Sequence, residues 1–122
     1  MKPSIIQQRL ADSIALKQQI LNDDVLLQQI EQLVANMVSV FKREGKVLFC
    51  GNGGSAADAQ HLAGELSGRF YYDRPPLFAE AISSNIAYLT AVSNDYGYQE
   101  SFARMIKAMG RKEDILIGLS TS

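Results

Sequence analysis

The chain has 122 residues, with 12 Lys and Arg against 13 Asp and Glu and a single His, giving a net charge of -1. That balance leaves no basic excess to neutralise a phosphate backbone, so generic nucleic-acid binding is excluded as a first reading. At 47% hydrophobic and 20% charged, with nine Gly and three Pro, the composition is that of a globular domain with a core, not of a disordered or collagen-like chain.

The N-terminus leads into a Gln-rich amphipathic segment without an apolar signal core, and apolar runs fall far short of the roughly 20 residues of a membrane helix. No membrane partner and a cytoplasmic location are expected. Cys50 is the sole cysteine, so it has no intramolecular disulfide partner, and any metal must be held by N and O ligands.

From Ser4 to about Asn22, Ile6, Leu10, Ile14 and Leu21 recur at helical intervals. Asp23 or Asp24 offers an N-cap for a second helix, whose stripe is Leu27, Ile30, Leu33, Val34, Met37 and Phe41, with Gly45 as a left-handed C-cap. These two long helices serve either as cover for the domain or, in part, as an oligomer interface. Val47-Leu48-Phe49-Cys50 then reads as a buried parallel strand that feeds the turn Gly51-Asn52-Gly53-Gly54-Ser55. A helix follows, with Ala56, Ala57, Ala59, Leu62, Ala63 and Leu66 as its packing positions, and it stops before Pro75-Pro76.

Residues 77–82 form a second predicted strand. Ser83-Ser84-Asn85 caps a helix from Ile86 toward Val92, the turn Ser93-Asn94-Asp95-Tyr96-Gly97 follows, and a further helix carries Phe102, Met105, Ile106 and Met109 to Gly110. Residues 115–119 form a third buried strand, which delivers Ser120-Thr121-Ser122 to its carboxyl end, where open α/β sheets place their ligands. Such a strand normally runs on into a returning helix, so the chain reads as the front part of a larger domain.

Four constellations carry possible chemistry. In Gly51–Ser55 the glycines permit close ligand approach, the helix end presents N–H groups, and Asn52 and Ser55 add directed hydrogen bonds; a plain strand-to-helix turn with Ser55 as N-cap is the bland alternative. The same segment fits Gly51-x-Gly53-x-x-Ala56 of dinucleotide sites with Glu80 as ribose acid, but Glu80 falls inside the predicted strand. His61 and Glu65, four apart on one helix face with Asp58 close by, offer two ligands to a zinc-type ion, a base with its partner, or only a surface ion pair. Ser120, Thr121 and Ser122 can wrap phosphate oxygens, and Asn94-Asp95, the fourth candidate, reads by default as an Asx-type turn.

Taken in order, Cys50 to Ser55, Gln60-His61-Leu62-Ala63-Gly64-Glu65-Leu66, Gly68-Arg69-Phe70, Asn94-Asp95-Tyr96-Gly97 and Ile117 to Ser122 resemble the bacterial phosphoheptose isomerases, which are sugar isomerase (SIS) domain proteins. The resemblance spans nearly the whole chain. It implies one SIS domain over 1–122, with helices in 1–45 and the front of a flavodoxin-like parallel α/β sheet in 46–122. It also implies a homotetramer with active sites at subunit contacts, and interconversion of sedoheptulose 7-phosphate and D-glycero-D-manno-heptose 7-phosphate for the ADP-heptose route to lipopolysaccharide core.

By position, the resemblance assigns Asn52, Gly53, Gly54 and Ser55 to the sugar, Asn94 and Asp95 to its hydroxyls, and Ser120, Thr121 and Ser122 to the phosphate. It makes Glu65 the proton-transferring carboxylate and His61 with Glu65 part of a zinc site. A late Gln and His of that family have no counterpart in these 122 residues, and Ser84-Asn85 stands where the family often has Asp, so the chain alone is expected to be inactive. Within the same fold, a non-catalytic scaffold of the DnaA initiator-associating type and a sugar-phosphate sensor module are the rivals; retention of both His61 and Glu65 favours the enzyme.

Overall fold

The computed structural model describes residues 4–121. In chain order the elements are α1 (Ile5–Leu21), α2 (Asp24–Lys42), β1 (Val47–Cys50), α3 (Gly54–Ser67), β2 (Ala79–Ala81), α4 (Ile86–Tyr96), α5 (Glu100–Met109) and β3 (Ile115–Gly118). The chain divides into two compact units between Asn36 and Met37, inside α2.

In the first unit, α1 starts on a capping box: the Ser4 hydroxyl accepts from the Gln7 N–H at 3.2 Å, and Gln7 Oε1 accepts from the Ser4 N–H at 2.8 Å. Asp23 caps α2 by accepting from the Leu26 N–H at 2.9 Å. The predicted α1 stripe is real in its spacing, yet Ile6, Leu10, Ile14 and Leu21 are all exposed, as are Ile30 and Val34 of α2. No helix among the described residues is long and apolar enough to cross a membrane.

The second unit is built on β1, the central strand of a parallel sheet in the order β2-β1-β3. Val47 pairs with Ala79 and Ile115, and Phe49 with Ala81 and Ile117. Because strand side chains alternate, these six residues share one face of the sheet. Ala59 and Ala63 of α3 lie directly on this row, and their small side chains let the helix approach the sheet closely. Met37 and Phe41 from the end of α2, with Leu66 and Leu119, complete the cluster. Covering the core therefore falls to the last part of the predicted α2 stripe. The left-handed residue after α2 is Glu44, at φ +59°, and not Gly45; what Gly45 needs is space, since a Cβ there would lie 2.8 Å from Val40 Cγ1.

The turn that launches α3 uses its glycines for two different reasons. Gly53 has φ +55° and ψ -123°, a backbone conformation that side chains disfavour. A Cβ on Gly51 would meet Ser55 Cβ and the Ser55 carbonyl carbon and oxygen, each at 2.7 Å, so the turn closes only around a bare Cα. At the other end of α3, the Arg74 guanidinium donates to the carbonyls of Glu65 and Leu66, both at 2.9 Å, and satisfies the last turn.

The amino ends of β1 and β3 are clasped by Asp114. Its Oδ2 lies 2.7 Å from Lys46 Nζ and accepts from the Arg111 N–H at 2.7 Å, while its Oδ1 accepts from the Lys46 N–H at 3.1 Å. The two side chains are only 11% and 9% exposed. Burial pushes the Asp114 carboxyl up, but the hydrogen bonds from the Lys46 side chain and from the N–H groups of Lys46 and Arg111, with the Lys46 charge, outweigh it and hold the group below its ordinary value.

A depressed folded-state pKa means that the unfolded chain binds the proton more readily, so this stabilisation is full above the ordinary carboxylate range and is lost as pH falls through the folded value. Asp114→Asn is expected to cost about 2–4 kcal/mol at neutral pH, because it leaves a nearly buried ammonium without its counter-ion. In thermal melts taken from pH 7 downward, the difference between wild type and variant should shrink toward low pH; parallel curves would contradict the assignment. Gly51→Ala should lower stability by about 1–3 kcal/mol in denaturant titrations, through the overlap with the Ser55 backbone.

Candidate functional site

β1 delivers the glycine turn at its carboxyl end, and β3 delivers Ser120 and Thr121 at its own. The two ends are joined where the Leu119 N–H donates to the Cys50 carbonyl at 2.8 Å. The chain leaves β1 to one side to make β2, then crosses to the other side to make β3, so the gap between β1 and β3 is the point where strand order reverses. Open α/β sheets bind ligands in the crevice at that position.

A cavity of about 90 Å³ lies there, lined by Asn52, Ser55, Leu119, Ser120 and Thr121. That is room for a compact polar group at the foot of the crevice. Four of the five lining residues carry amide or hydroxyl side chains, and none is charged. The cap of α3 is Gly53, with no side-chain cap hydrogen bond, so Ser55 stands inside the helix and its hydroxyl belongs to the cavity wall instead of acting as an N-cap. An anion seated here would meet hydroxyls and the positive end of α3 without any Lys or Arg.

One wall residue is held from elsewhere in the fold: the Tyr98 phenol donates to Asn52 Oδ1. Sequence reading did not single out Tyr98, because the two partners are 46 positions apart and no local pattern links them. Cys50 lies beneath the turn, and burial pushes its thiol above the ordinary value, so it remains protonated and packs.

Gly53 and Gly54, exposed on the turn between Asn52 and Ser55, do not line this cavity, and Asn94, Asp95, His61 and Glu65 are not brought to it. Asn94 and Asp95 are on the last turns of α4, which runs on to Tyr96 instead of ending at Val92. Both are exposed, and the Asn94 amide donates to Asp95 Oδ1 at 3.2 Å. The backbone ladder continues through the expected turn to the Gly97 N–H, which donates to the Ser93 carbonyl at 3.1 Å, and the Ser93 hydroxyl bonds back to the Leu89 carbonyl at 2.6 Å instead of forming a turn. Ser122 lies outside the described residues.

His61 Nε2 and Glu65 Oε1 are 3.3 Å apart on α3, with the His61 side chain exposed and the Glu65 side chain half-buried. Each follows a buried alanine, Ala59 or Ala63, by two positions, about 200° round the helix, so the pair faces away from the sheet. Glu65 is also ten residues beyond Ser55, about 15 Å along the helix axis. As metal donors the two make a pair only: no group of three or more His, Cys, Asp and Glu positioned to hold an ion occurs among the described residues. A zinc centre takes at least three protein ligands, so these residues alone do not fit a complete one; they fit an acid–base couple or part of a larger donor set.

Glu80, the acid of the dinucleotide alternative, is in the middle of β2 and accepts from the Ser84 hydroxyl at 3.2 Å. It does not stand at the carboxyl end of a strand, where a ribose acid belongs, so the alternative has no second contact.

The chain is similar to known proteins over nearly its whole length. The chain is 48% identical over 119 residues to phosphoheptose isomerase 2 of Campylobacter jejuni, covering 98% of this chain and 59% of that protein. It is 47% identical over 117 residues to the phosphoheptose isomerase of Aneurinibacillus thermoaerophilus, covering 96% and 59%. Among solved structures, the phosphoheptose isomerase of Francisella tularensis superposes with a TM-score of 0.90 at 40% identity over 96% of this chain and 60% of that one. The enzyme of Neisseria gonorrhoeae gives 0.85 at 39% identity over 96% and 59%. The chain thus spans about three-fifths of the length of these relatives. Residues 10–122 match the SIS domain, and the chain belongs to the SIS domain family.

Proposed function

We propose that the protein is an aldose–ketose isomerase acting on sedoheptulose 7-phosphate, and that this segment supplies its phosphate-binding corner and its proton-transferring carboxylate. The observation that carries the reading is the uncharged polar cavity between the carboxyl ends of β1 and β3, in a chain whose relatives are named phosphoheptose isomerases. In this proposal Ser120 and Thr121, with Ser122 beyond them, receive the phosphate, while Asn52, Gly53, Gly54 and Ser55 face the sugar. Asn94 and Asp95, exposed in the same stretch of chain that carries Tyr98, are assigned to its hydroxyls.

The reaction moves a carbonyl from C2 to C1. A proton leaves C1 of the ketose while O2 gains one, giving the enediol, and a proton is then delivered to C2 while O1 gives one up; one carboxylate can carry the carbon proton in both halves, with the second proton passing from O1 to O2. Glu65 is that carboxylate in our reading, and the His61 imidazole 3.3 Å away orients it.

Since Glu65 faces away from the sheet and lies about 15 Å along α3 from Ser55, it would meet a bound sugar where two copies adjoin. This favours an active site at a subunit contact and an oligomer, which we assign as a homotetramer. His61 and Glu65 would be two of the donors to a zinc ion, the others coming from outside the described residues, and such an ion would act as a Lewis acid toward the carbonyl. A cytoplasmic location, and a product destined for ADP-heptose and lipopolysaccharide core, belong to the same proposal.

The test is conversion of sedoheptulose 7-phosphate by the protein as its gene encodes it, beside Glu65→Gln, with zinc present and absent. Turnover should fall by about 10²–10⁴-fold in the variant while substrate affinity stays within a few-fold. A folded wild-type protein that binds the sugar phosphate without converting it would overturn the isomerase reading in favour of a sensor module.

A further inference from the structure

The contact between Tyr98 and Asn52 does more than join two loops. Tyr98 follows the turn at Gly97, and its backbone is anchored by Ser101, which is 1% exposed. The Ser101 hydroxyl donates to the Tyr98 carbonyl at 2.6 Å, and the Ser101 carbonyl accepts from the Tyr88 phenol of α4 at 2.8 Å. The Phe102 ring stands edge-on to the Tyr98 ring, with centroids 6.1 Å apart and planes at 66°. Ser101 thus fixes the Tyr98 backbone and Phe102 flanks its ring, while the residue as a whole stays half exposed where the phenol reaches Asn52.

An asparagine side chain has a carbonyl on one side and an NH2 on the other, and a half-turn exchanges them. With Oδ1 taken by the Tyr98 hydroxyl, the two Nδ2 hydrogens are left for a ligand oxygen. We infer that Tyr98 is a positioning residue that fixes the Asn52 amide, presenting its N–H donors to the cavity. It follows that the cavity selects an acceptor oxygen, a sugar hydroxyl or carbonyl, at the Asn52 position, beside the phosphate corner at Ser120 and Thr121. The identity of that ligand rests on the sugar-phosphate reading; the fixing of the amide does not.

The experiment measures binding of sedoheptulose 7-phosphate and of inorganic phosphate to wild type, Tyr98→Phe, Asn52→Ala and the double variant, with the Asn52 side-chain amide followed by NMR. Tyr98→Phe should weaken the sugar phosphate about five- to tenfold, as expected for one lost hydrogen bond, and leave inorganic phosphate within twofold. In the Asn52→Ala background the same substitution should change nothing further. An equal loss in both backgrounds, or an equal loss for inorganic phosphate, would overturn the inference, because Tyr98 would then act on the fold or on the ligand directly. If wild type binds no sugar phosphate, the functional reading fails, and the amide signal decides separately. A clear shift of the Asn52 NH2 resonances in Tyr98→Phe upholds the positioning role, and unchanged resonances refute it.

Discussion

Everything at the site depends on the in-register parallel pairing of β1 with β3. Parallel strands have no short connection to hold them together, so the pairing must be secured by contacts between residues far apart in sequence. Asp114 supplies this at the amino end, where one carboxylate takes the Lys46 ammonium, the Lys46 N–H and the Arg111 N–H. With the start of both strands fixed, their lengths decide where they end. Four residues of each pair, from Val47 with Ile115 to Cys50 with Gly118, and the two turns then emerge side by side. A slip of register would carry Ser120 and Thr121 away from Asn52, and would expose Ile115 and Ile117 in place of Leu116.

The electrostatics of the cavity follow from what surrounds this pairing. No cation lines it. Favourable potential for an anion comes from the amino end of α3, which the chain leaves without a side-chain cap, and from hydroxyls that rotate to donate. A helix dipole acts over its first turn only, so the anion has to come close, and Gly51 and Gly53 are what let the turn fold tightly enough for that.

Much of this was legible in the sequence. Val47 to Cys50 was readable to the residue, because an unbroken apolar run bounded by Lys and Gly has few other uses. The second strand is shorter than the predicted 77–82, although the Val47 N–H still reaches the Phe78 carbonyl and the Ile82 N–H the Phe49 carbonyl, so the ladder's hydrogen bonds outrun its named residues. Ser93, Asn94 and Asp95 read as a turn on composition alone, but the positive-φ glycine of this stretch comes only at Gly97, and the helix runs through to it. Tyr98 was invisible for a different reason: its value lies in a partner 46 residues away, and single-sequence patterns carry no long-range pairing. Arg74 was missed in the same way, since its role is to satisfy carbonyls of Glu65 and Leu66 that no motif advertises.

The separation of the two predicted chemical groups is the most informative departure from a reading by motif. Glu65 and Ser55 share one helix, which invites the assumption that they share one site, yet helical geometry opposes it: ten residues and a turn to the outer face place them apart. Arg74 makes this arrangement stiff, because it pins the backbone at Glu65 and so removes the fraying by which the last turn of a helix might bring its side chains round. The Glu65 carboxylate is half-buried and lies 3.3 Å from the exposed His61 imidazole, on the side of α3 away from the sheet. In the proposed function the base has to reach the sugar's reacting carbon, whereas the cavity between β1 and β3 has only to anchor the far end of the same molecule. In the proposed function the two requirements are met together only when residues other than those lining the cavity bring the sugar's reacting end to Glu65.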